Sequence, residues 1–301
     1  MKMLSRVEAY LSHRRSLGYK LKTEGQMLLN FAQYVDDSGY RGPLKHEIAL
    51  RWAKLPSKAD PLYHARRLEV VRGFAKYQIA WEPKTQIPPR HILGPAHRRN
   101  SPHIYTTKQI HQLLRNASHL KGVFRSKTYQ TLFGLLASCG LRISEALNLR
   151  VYEVDLHHGV ITISESKYHH TRFVPLHPSA ISALKQYSDQ RTLRFPGAEY
   201  FFVSDRGCRF AYSTIRTTFR KLTKDFIPNS GRRYVRLHDL RHTFACNVLL
   251  RWQKTKRGAQ GRIPILSRYM GHLRVTDTYW YLSAIPELLI SVVKKFNPPS
   301  L

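Results

Sequence analysis

Acidic residues are scarce in this chain of 301 residues: 19 Asp and Glu stand against 50 Lys and Arg, which gives a formal net charge of +31. Residues 1–100 carry 19 basic and 8 acidic side chains, a net charge of +11, and residues 101–301 carry 31 and 11, a net charge of +20. A positive charge spread over a whole chain is typical of a protein that faces a polyanion, so we expect a nucleic-acid partner. The alternative is a basic protein without such a partner.

Cysteines and long apolar runs are also scarce. Cys139, Cys208 and Cys246 lie far apart and lack Cys-x-x-Cys spacing, so neither a disulfide framework nor a zinc site is expected. They are predicted to be small buried residues in a reducing cytosol. No apolar run approaches the ~20 residues that span a membrane, and the N-terminus lacks the apolar core of a signal peptide. These absences predict a cytoplasmic protein without a membrane partner.

Residues 1–81 have the apolar spacing of a small helical bundle. The first predicted helix has Val7, Tyr10, Leu11 and Leu17 on its apolar side. Thr23-x-x-Gln26 is a candidate capping box for the second, and the third and fourth are predicted at 45–54 and 60–80. Arginines are expected on exposed faces: Arg14, Arg15, Arg66, Arg67 and Arg72. This composition fits a DNA-clamping module, and an ordinary bundle with a solvated basic face is the open alternative.

Prolines mark the end of this first domain. Five of them fall between Pro83 and Pro102, a density that ends helices and stiffens the chain, so 82–103 is predicted to be an interdomain linker. The second domain, 104–301, opens with a capping box at Thr106-x-x-Gln109, followed by an apolar helix at 128–138. Two strands are predicted at 160–163 and 172–176, joined by a polar turn, and the chain from residue 178 is predicted to be mostly helical.

The shortage of acids bears on chemistry as well. Metal-dependent nucleases need clustered carboxylates, and no Asp/Glu cluster with suitable spacing is found in the sequence. Attack on a phosphodiester without a metal instead requires cations and hydrogen-bond donors for the charge that develops, a nucleophile, and an acid for the leaving oxygen. Arginine suits the first task because its planar fork meets two phosphate oxygens at once. We therefore expect neither a metal nor another cofactor.

The candidate residues have ordinary interpretations when each is taken alone. Arg142, after Gly140-Leu141, is then a surface arginine at a helix start. His238 and Arg241, three residues apart on one helix face, are then a capping histidine and a surface arginine. His272, which follows a glycine, is then a loop histidine after a helix C-cap.

Taken together and in order, these motifs are far more specific. Gly-Leu-Arg-x-Ser-Glu at 140–145 is followed by Arg-x-Val-Pro-Leu at 172–176, His-x-Leu-Arg-His-Thr-Phe at 238–244, Gly-His at 271–272, and a tyrosine nine residues later. This series resembles the tyrosine recombinase (phage integrase) family over about 104–285. The first domain and linker resemble, more weakly, the core-binding domain of Xer-type members.

The resemblance implies a mainly α (α+β) fold, with a helical core-binding domain at 1–81 and a mostly helical catalytic domain at 104–301 that contains a small antiparallel sheet. It also implies roles in catalysis. Arg142 and Arg241 would clamp the phosphate, and His238 and His272 would donate hydrogen bonds to it. His238 is also a candidate proton acceptor. Lys167, in the turn between the strands, would protonate the 5′-oxygen, and Tyr281 would form a 3′-phosphotyrosyl link.

Three tyrosines lie close to the expected nucleophile position: Tyr269, Tyr279 and Tyr281. Tyr281 is favoured because it stands nine residues after His272, as the family pattern requires. On a helix, Tyr279 would point about 200° away from Tyr281, so only one of them can face the phosphate. Tyr279 and Trp280 are predicted to be packing residues.

Two segments extend this picture. Thirty residues separate Arg241 from His272, more than is usual in Xer-like members, and the excess is a basic loop at 253–262 that either contacts a DNA backbone or is solvated. Pro286 begins a predicted apolar helix that extends to 296. This helix packs onto its own domain or, as the resemblance implies, docks head to tail on a neighbouring protomer or a sister recombinase in a tetramer on two double-stranded DNA duplexes.

The sequence therefore predicts a site-specific DNA recombinase or integrase, of the kind that mobile genetic elements carry, which breaks and rejoins DNA strands without ATP or metal. Two alternatives stay open. One is a relaxing enzyme similar to type IB topoisomerases, and the other is an inactive DNA-binding relative.

Overall fold

The computed structural model describes residues 2–97, 101–164, 171–228, 233–255 and 260–283. It divides into two compact units, Met1–Arg99 and Asn100–Leu301. The first unit contains α1 (Met3–Ser16), α2 (Lys22–Asp37), α3 (His46–Lys54) and α4 (Pro61–Gln78). The second contains α5 (Thr107–Ser118), α6 (Val123–Cys139), α7 (Ile143–Asn148), β1 (Val154–Asp155), β2 (Val160–Ile163), β3 (Arg172–Pro175), α8 (Pro178–Arg194), α9 (Tyr212–Leu222), α10 (Leu237–Gln253), α11 (Ile263–Met270) and α12 (Thr276–Ser283). The predicted mainly helical fold with a small antiparallel sheet is confirmed.

The first unit is the predicted four-helix bundle, with an apolar core that includes Phe31, Trp52 and Phe74. Two details of the prediction are wrong. Thr23 does not cap α2, because the helix already begins at Lys22 after Leu21, whose φ is 37°. Leu17 follows the end of α1 and is exposed.

Arg67 also departs from the prediction, since it is buried rather than exposed. Its guanidinium lies 3.6 Å from the centre of the Trp52 ring and donates a hydrogen bond of 2.8 Å to the Trp52 carbonyl oxygen. The cation–π contact and the carbonyl offset the loss of water around this charge. Arg15 and Arg66 are exposed, as predicted.

The first part of the predicted linker is hydrogen-bonded to the four-helix bundle. Residues 82–97 contain no helix or strand. Gln86 N–H donates to the Leu44 carbonyl oxygen over 2.8 Å, and Arg72 Nε donates to that of Pro88 over 2.9 Å.

The second unit begins with the predicted capping box: Thr106 Oγ1 accepts from the backbone N–H of Gln109, whose side chain accepts from that of Thr106. Its sheet is antiparallel in the order β1-β2-β3, and Ile161 is paired with Val174. Both predicted strands are present, although β3 ends one residue early. The two-residue strand β1 was not predicted because it is too short to show alternation.

Glycines end α6 and α11. Gly140 (φ 63°) and Gly271 (φ 65°) adopt the left-handed conformation that is typical of helix C-caps, which confirms the interpretation of Gly271. Tyr269 Oη donates to the Cys139 carbonyl oxygen over 3.1 Å, so the ends of α6 and α11 lie side by side. Cys139 and Cys246 are buried, whereas Cys208 is exposed, contrary to the prediction.

Several predicted features fall outside the described residues: Lys167, most of the polar turn at 165–171, residues 256–259 of the basic loop, and the helix at 286–296. Within the described residues, no helix has the length and apolar character that a membrane crossing needs.

Gly140→Ala should destabilise the protein by roughly 2–4 kcal/mol. A Cβ at Gly140 would lie 2.4 Å from Phe244 Cδ1, and the positive φ adds strain for any L side chain. Thermal or urea unfolding measures the change. The matched control is Gly197→Ala, where a Cβ meets nothing within 4 Å, and we expect it to change the free energy of unfolding by less than about 0.5 kcal/mol. Equal stability of the two variants would contradict the close packing of Phe244 on Gly140.

Candidate active site

Arg142 is held at the junction between α6 and α7. Its backbone N–H donates to Glu145 Oε2 over 2.8 Å, and its Nη1 donates to Glu145 Oε1 over 2.8 Å. The carboxylate therefore caps α7 and orients the arginine at the same time. Arg142 Nη2 donates to the Gly271 carbonyl oxygen over 2.7 Å. These contacts connect the start of α7 to the end of α11.

Arg172 is a member of this cluster that the sequence analysis did not single out. From β3, its two Nη atoms donate to Glu145 Oε1 and Oε2 over 3.1 and 2.7 Å. Burial favours a higher pKa for Glu145, but the hydrogen bonds and charges of Arg172 and Arg142 outweigh it and lower the pKa. The signal in the sequence was strand alternation: Arg172 shares the inward face of β3 with Val174.

Arg241 is the most deeply buried of the arginines in the cluster, with 2% of its surface exposed. From the first turn and a half of α10, its Nη1 donates to the Gly140 carbonyl oxygen over 2.7 Å, and its Nη2 donates to the Met270 carbonyl oxygen. The same Nη2 lies 3.1 Å from His272 Nε2. Burial, followed by the charge of Arg142, lowers the pKa of Arg241 to about 10, so it remains protonated at neutral pH.

His272 follows the glycine that ends α11 and contacts two other elements. Its Nε2 faces Arg241, and its Nδ1 lies 2.8 Å from Thr278 Oγ1 on α12. Burial, together with the charges of Arg241 and Arg142, lowers the pKa of His272 to about 4. His272 is therefore neutral at neutral pH.

His238 and His242 lie one turn apart on α10, with ring centres 4.6 Å apart. His238 keeps an exposed edge, yet the surrounding protein, followed by the charges of Arg241 and Arg236, lowers its pKa well below the ordinary value. His242 is buried, and its ring lies 5.1 Å from that of Trp280 and 5.4 Å from that of Tyr281. The sequence motif gives His242 no role of its own, and its spacing of four residues from His238 is the signal that places both rings on one helix face.

Tyr281 lies on α12 with 2% of its surface exposed, and its ring stacks on that of His272 at 6.0 Å between centres. Burial raises the pKa of Tyr281, and Arg241 opposes this through its charge and a hydrogen bond. Tyr279 is 49% exposed, so its predicted packing role is wrong, whereas Trp280 does pack against His242 and Tyr281.

The structure thus brings together five of the six predicted site residues: Arg142, His238, Arg241, His272 and Tyr281. The sixth, Lys167, lies outside the described residues. A mostly helical domain with a small sheet that gathers arginines, neutral histidines and a tyrosine has the architecture of a tyrosine recombinase catalytic domain.

Comparisons with known proteins agree. The profile of the phage integrase family matches residues 104–286. The chain is 37% identical over 305 residues to y4rB of Sinorhizobium fredii, assigned as an integrase/recombinase, and the match covers 97% of this chain and 96% of that protein. It is 31% identical over 239 residues to tyrosine recombinase XerC of Pseudomonas fluorescens, covering 78% and 74% of the two chains.

Solved structures show the same fold. The Tn1549 transposon integrase in complex with a circular intermediate DNA matches with a TM-score of 0.71 and 15% identity, covering 98% of this chain and 99% of that one. The XerH site-specific recombinase bound to a difH substrate matches with a TM-score of 0.65 and 16% identity, covering 93% and 80%. The chain belongs to the phage integrase family of tyrosine recombinases.

Glu145→Gln should destabilise the protein by about 3 kcal/mol at pH 7, because it removes the carboxylate from the buried pair with Arg172 and the partly buried pair with Arg142. The pKa of Glu145 is lower in the folded state, so its stabilising effect is present above the ordinary carboxyl pKa of 4.5 and is lost as the pH falls through the lowered value. Melting curves from pH 7 to pH 3 should therefore show a shallower acid slope in the variant.

The control for this measurement is Glu199→Gln, whose carboxylate pairs with Arg150 but is mostly exposed. We expect that variant to change the free energy of unfolding by less than about 1 kcal/mol. An acid slope in Glu145→Gln as steep as in the unmodified protein would refute the proposed linkage.

Proposed function

We propose that this protein is a site-specific DNA recombinase that cuts and rejoins DNA strands through a 3′-phosphotyrosyl intermediate formed on Tyr281. The observation that carries the proposal is the contact of one buried cation, Arg241, with both His272 and the Tyr281 phenol. Recombinases and integrases among the relatives support strand exchange as the outcome, and the transposon integrase among the structural neighbours supports a mobile element as the context.

In the proposed mechanism, the arginines bind the scissile phosphate. Arg142 and Arg241 are fixed by carbonyl oxygens and carry full positive charges, so they can stabilise the charge that develops on the equatorial oxygens. His238 and His272 add hydrogen bonds. Because the arginines are held in position before DNA arrives, these cations need little reorganisation when the charge develops.

The covalent step transfers the phosphoryl group to the protein. Tyr281 Oη attacks phosphorus while the bond from phosphorus to the 5′-oxygen breaks. Burial raises the pKa of the phenol, so the attack needs a proton acceptor, and neutral His238 is the candidate. Lys167 protonates the departing 5′-oxygen. Attack by a 5′-hydroxyl on the phosphotyrosine reverses these steps, and the bond energy is retained throughout.

The proposal also covers domains and partners. Residues 1–81 would form a DNA-clamping domain, joined through 82–103 to the catalytic domain at 104–301. Double-stranded DNA is the substrate, and the helix predicted at 286–296 would dock on a neighbouring or sister protomer. A tetramer on two duplexes follows by analogy with a lambda integrase tetramer bound to a Holliday junction, which matches this chain with a TM-score of 0.63. We propose a cytoplasmic location, associated with the nucleoid.

Tyr281→Phe should abolish the covalent adduct, whereas Tyr279→Phe should form it at close to the normal rate. The Tyr281 ring is buried and stacks on His272, whereas Tyr279 is half exposed. Nicked suicide duplexes tiled across the DNA that flanks the coding region are incubated with the protein, and adducts are counted on a denaturing gel. An adduct formed by Tyr281→Phe but not by Tyr279→Phe would reverse the assignment, and no adduct with the unmodified protein would contradict the proposed function.

Lys167→Ala should slow cleavage of an ordinary phosphodiester by a factor of about 10²–10⁴, the range of general acid catalysis. The same variant should cleave a substrate with sulfur at the 5′-bridging position at close to the normal rate, because a thiolate leaves without protonation. Lys185→Ala on α8 is the control. If sulfur does not restore the rate, Lys167 is not the acid.

A further inference from the structure

Thr278 lies on α12 between the candidate nucleophile and His272. It is fully buried in the first turn of α12, three residues before Tyr281, so both side chains lie on the same helix face. Its hydroxyl lies 2.8 Å from Nδ1 of His272. The helix that carries the nucleophile therefore also carries the hydrogen-bond partner of a histidine in the site.

The contacts of His272 define its resting protonation state. An arginine guanidinium can only donate, so His272 Nε2, which lies 3.1 Å from Arg241 Nη2, must accept. The imidazole is neutral at neutral pH, because its pKa is lowered to about 4. Its one proton is therefore on Nδ1, and Nδ1 donates to Thr278 Oγ1.

This tautomer cannot perform the role that the proposed function requires. An Nε2 atom that accepts from Arg241 has no proton to donate to a phosphate oxygen. When a phosphate oxygen replaces His272 Nε2 as the acceptor for Arg241, exchange with water can move the imidazole proton from Nδ1 to Nε2 without changing the net charge. Nδ1 then needs a donor, and a hydroxyl is suitable because it accepts in one state and donates in the other.

We propose that Thr278 is a positioning residue that holds the His272 ring in one orientation and supports both of its neutral tautomers. This inference rests on the proposed function, since the second tautomer matters only when a phosphate is bound. It also explains why the residue lies on α12: His272 has its Nδ1 partner only while the helix that carries Tyr281 is docked against it. Donation to the phosphate and delivery of the nucleophile are thus coupled through one hydroxyl.

The first test is a set of substitutions on suicide DNA. Thr278→Val keeps the shape but loses the hydroxyl, and we expect it to slow adduct formation about ten- to a hundredfold without changing DNA binding, because a buried polar atom of His272 is left without its partner. Thr278→Ser keeps the hydroxyl and should restore most of the rate. Thr276→Val, at an exposed position on the same helix, is the matched control. Valine at 278 with a normal rate would overturn the inference, whereas no adduct with the unmodified protein would contradict the proposed function instead.

The second test asks whether Thr278 acts through His272. In a His272→Ala background, Thr278→Val should cause no further loss of rate, while a purely structural role would give additive losses. The ¹⁵N chemical shifts of His272, assigned against His272→Ala, provide a readout that does not depend on a folded valine variant. We expect a proton on Nδ1 in the DNA-free protein and on Nε2 in Tyr281→Phe bound to its DNA site. A proton on Nε2 in both states would refute the proposal.

Discussion

The rest of the catalytic unit depends on where the charge of Arg241 is held. Its guanidinium binds the Gly140 and Met270 carbonyl oxygens, at the C-terminal ends of α6 and α11. The last carbonyls of a helix lack partners within the helix and carry the negative end of its dipole, so they stabilise a buried cation. Left-handed glycines end both helices and turn the chain away immediately afterwards. The remaining site residues are arranged around this cation. Its position in α10 alone predicts an ordinary surface arginine.

Two of the acids of this basic chain, Glu145 and Asp239, place arginines. Glu145 stands three residues after Arg142, accepts its backbone N–H at the start of α7, and binds its guanidinium. Asp239 repeats the arrangement three residues after Arg236 at the start of α10, and this carboxylate is fully buried. In each case one carboxylate begins a helix and orients a cation, so the helix start and the position of the arginine cannot vary independently.

Features that depend on local spacing were predicted correctly from the sequence more often than features that depend on tertiary contacts. The capping box at Thr106 is correct because its partner Gln109 is at the right spacing and nothing competes with it. The same pattern at Thr23 fails because the preceding Leu21 adopts a left-handed conformation and α2 starts earlier, which no local pattern shows. Arg67 was wrongly predicted to be exposed, because its cation–π contact with Trp52, 15 residues earlier, forms only when α3 and α4 pack together. Arg172 contacts Glu145 from another element, and Thr278 contacts His272 across the turn between α11 and α12. Neither contact shows as a local pattern in one sequence.

The charges of the site explain how it can serve a phosphate over the neutral pH range. Arg142 and Arg172 pair with one carboxylate, Glu145, and Arg241 lies beside them, so these four groups carry a net charge of +2. Arg172 is paired with that carboxylate through both Nη atoms, whereas Arg241 is held by helix carbonyls, which orient a cation without cancelling its charge. His272 is neutral because burial and the charges of Arg241 and Arg142 lower its pKa, and the pKa of His238 is lowered as well. Positive charge therefore resides on the guanidiniums, which arginine keeps at neutral pH, while the imidazoles carry none there. Neutralisation of a bound phosphate and hydrogen bonding to it are thus divided between the two residue types.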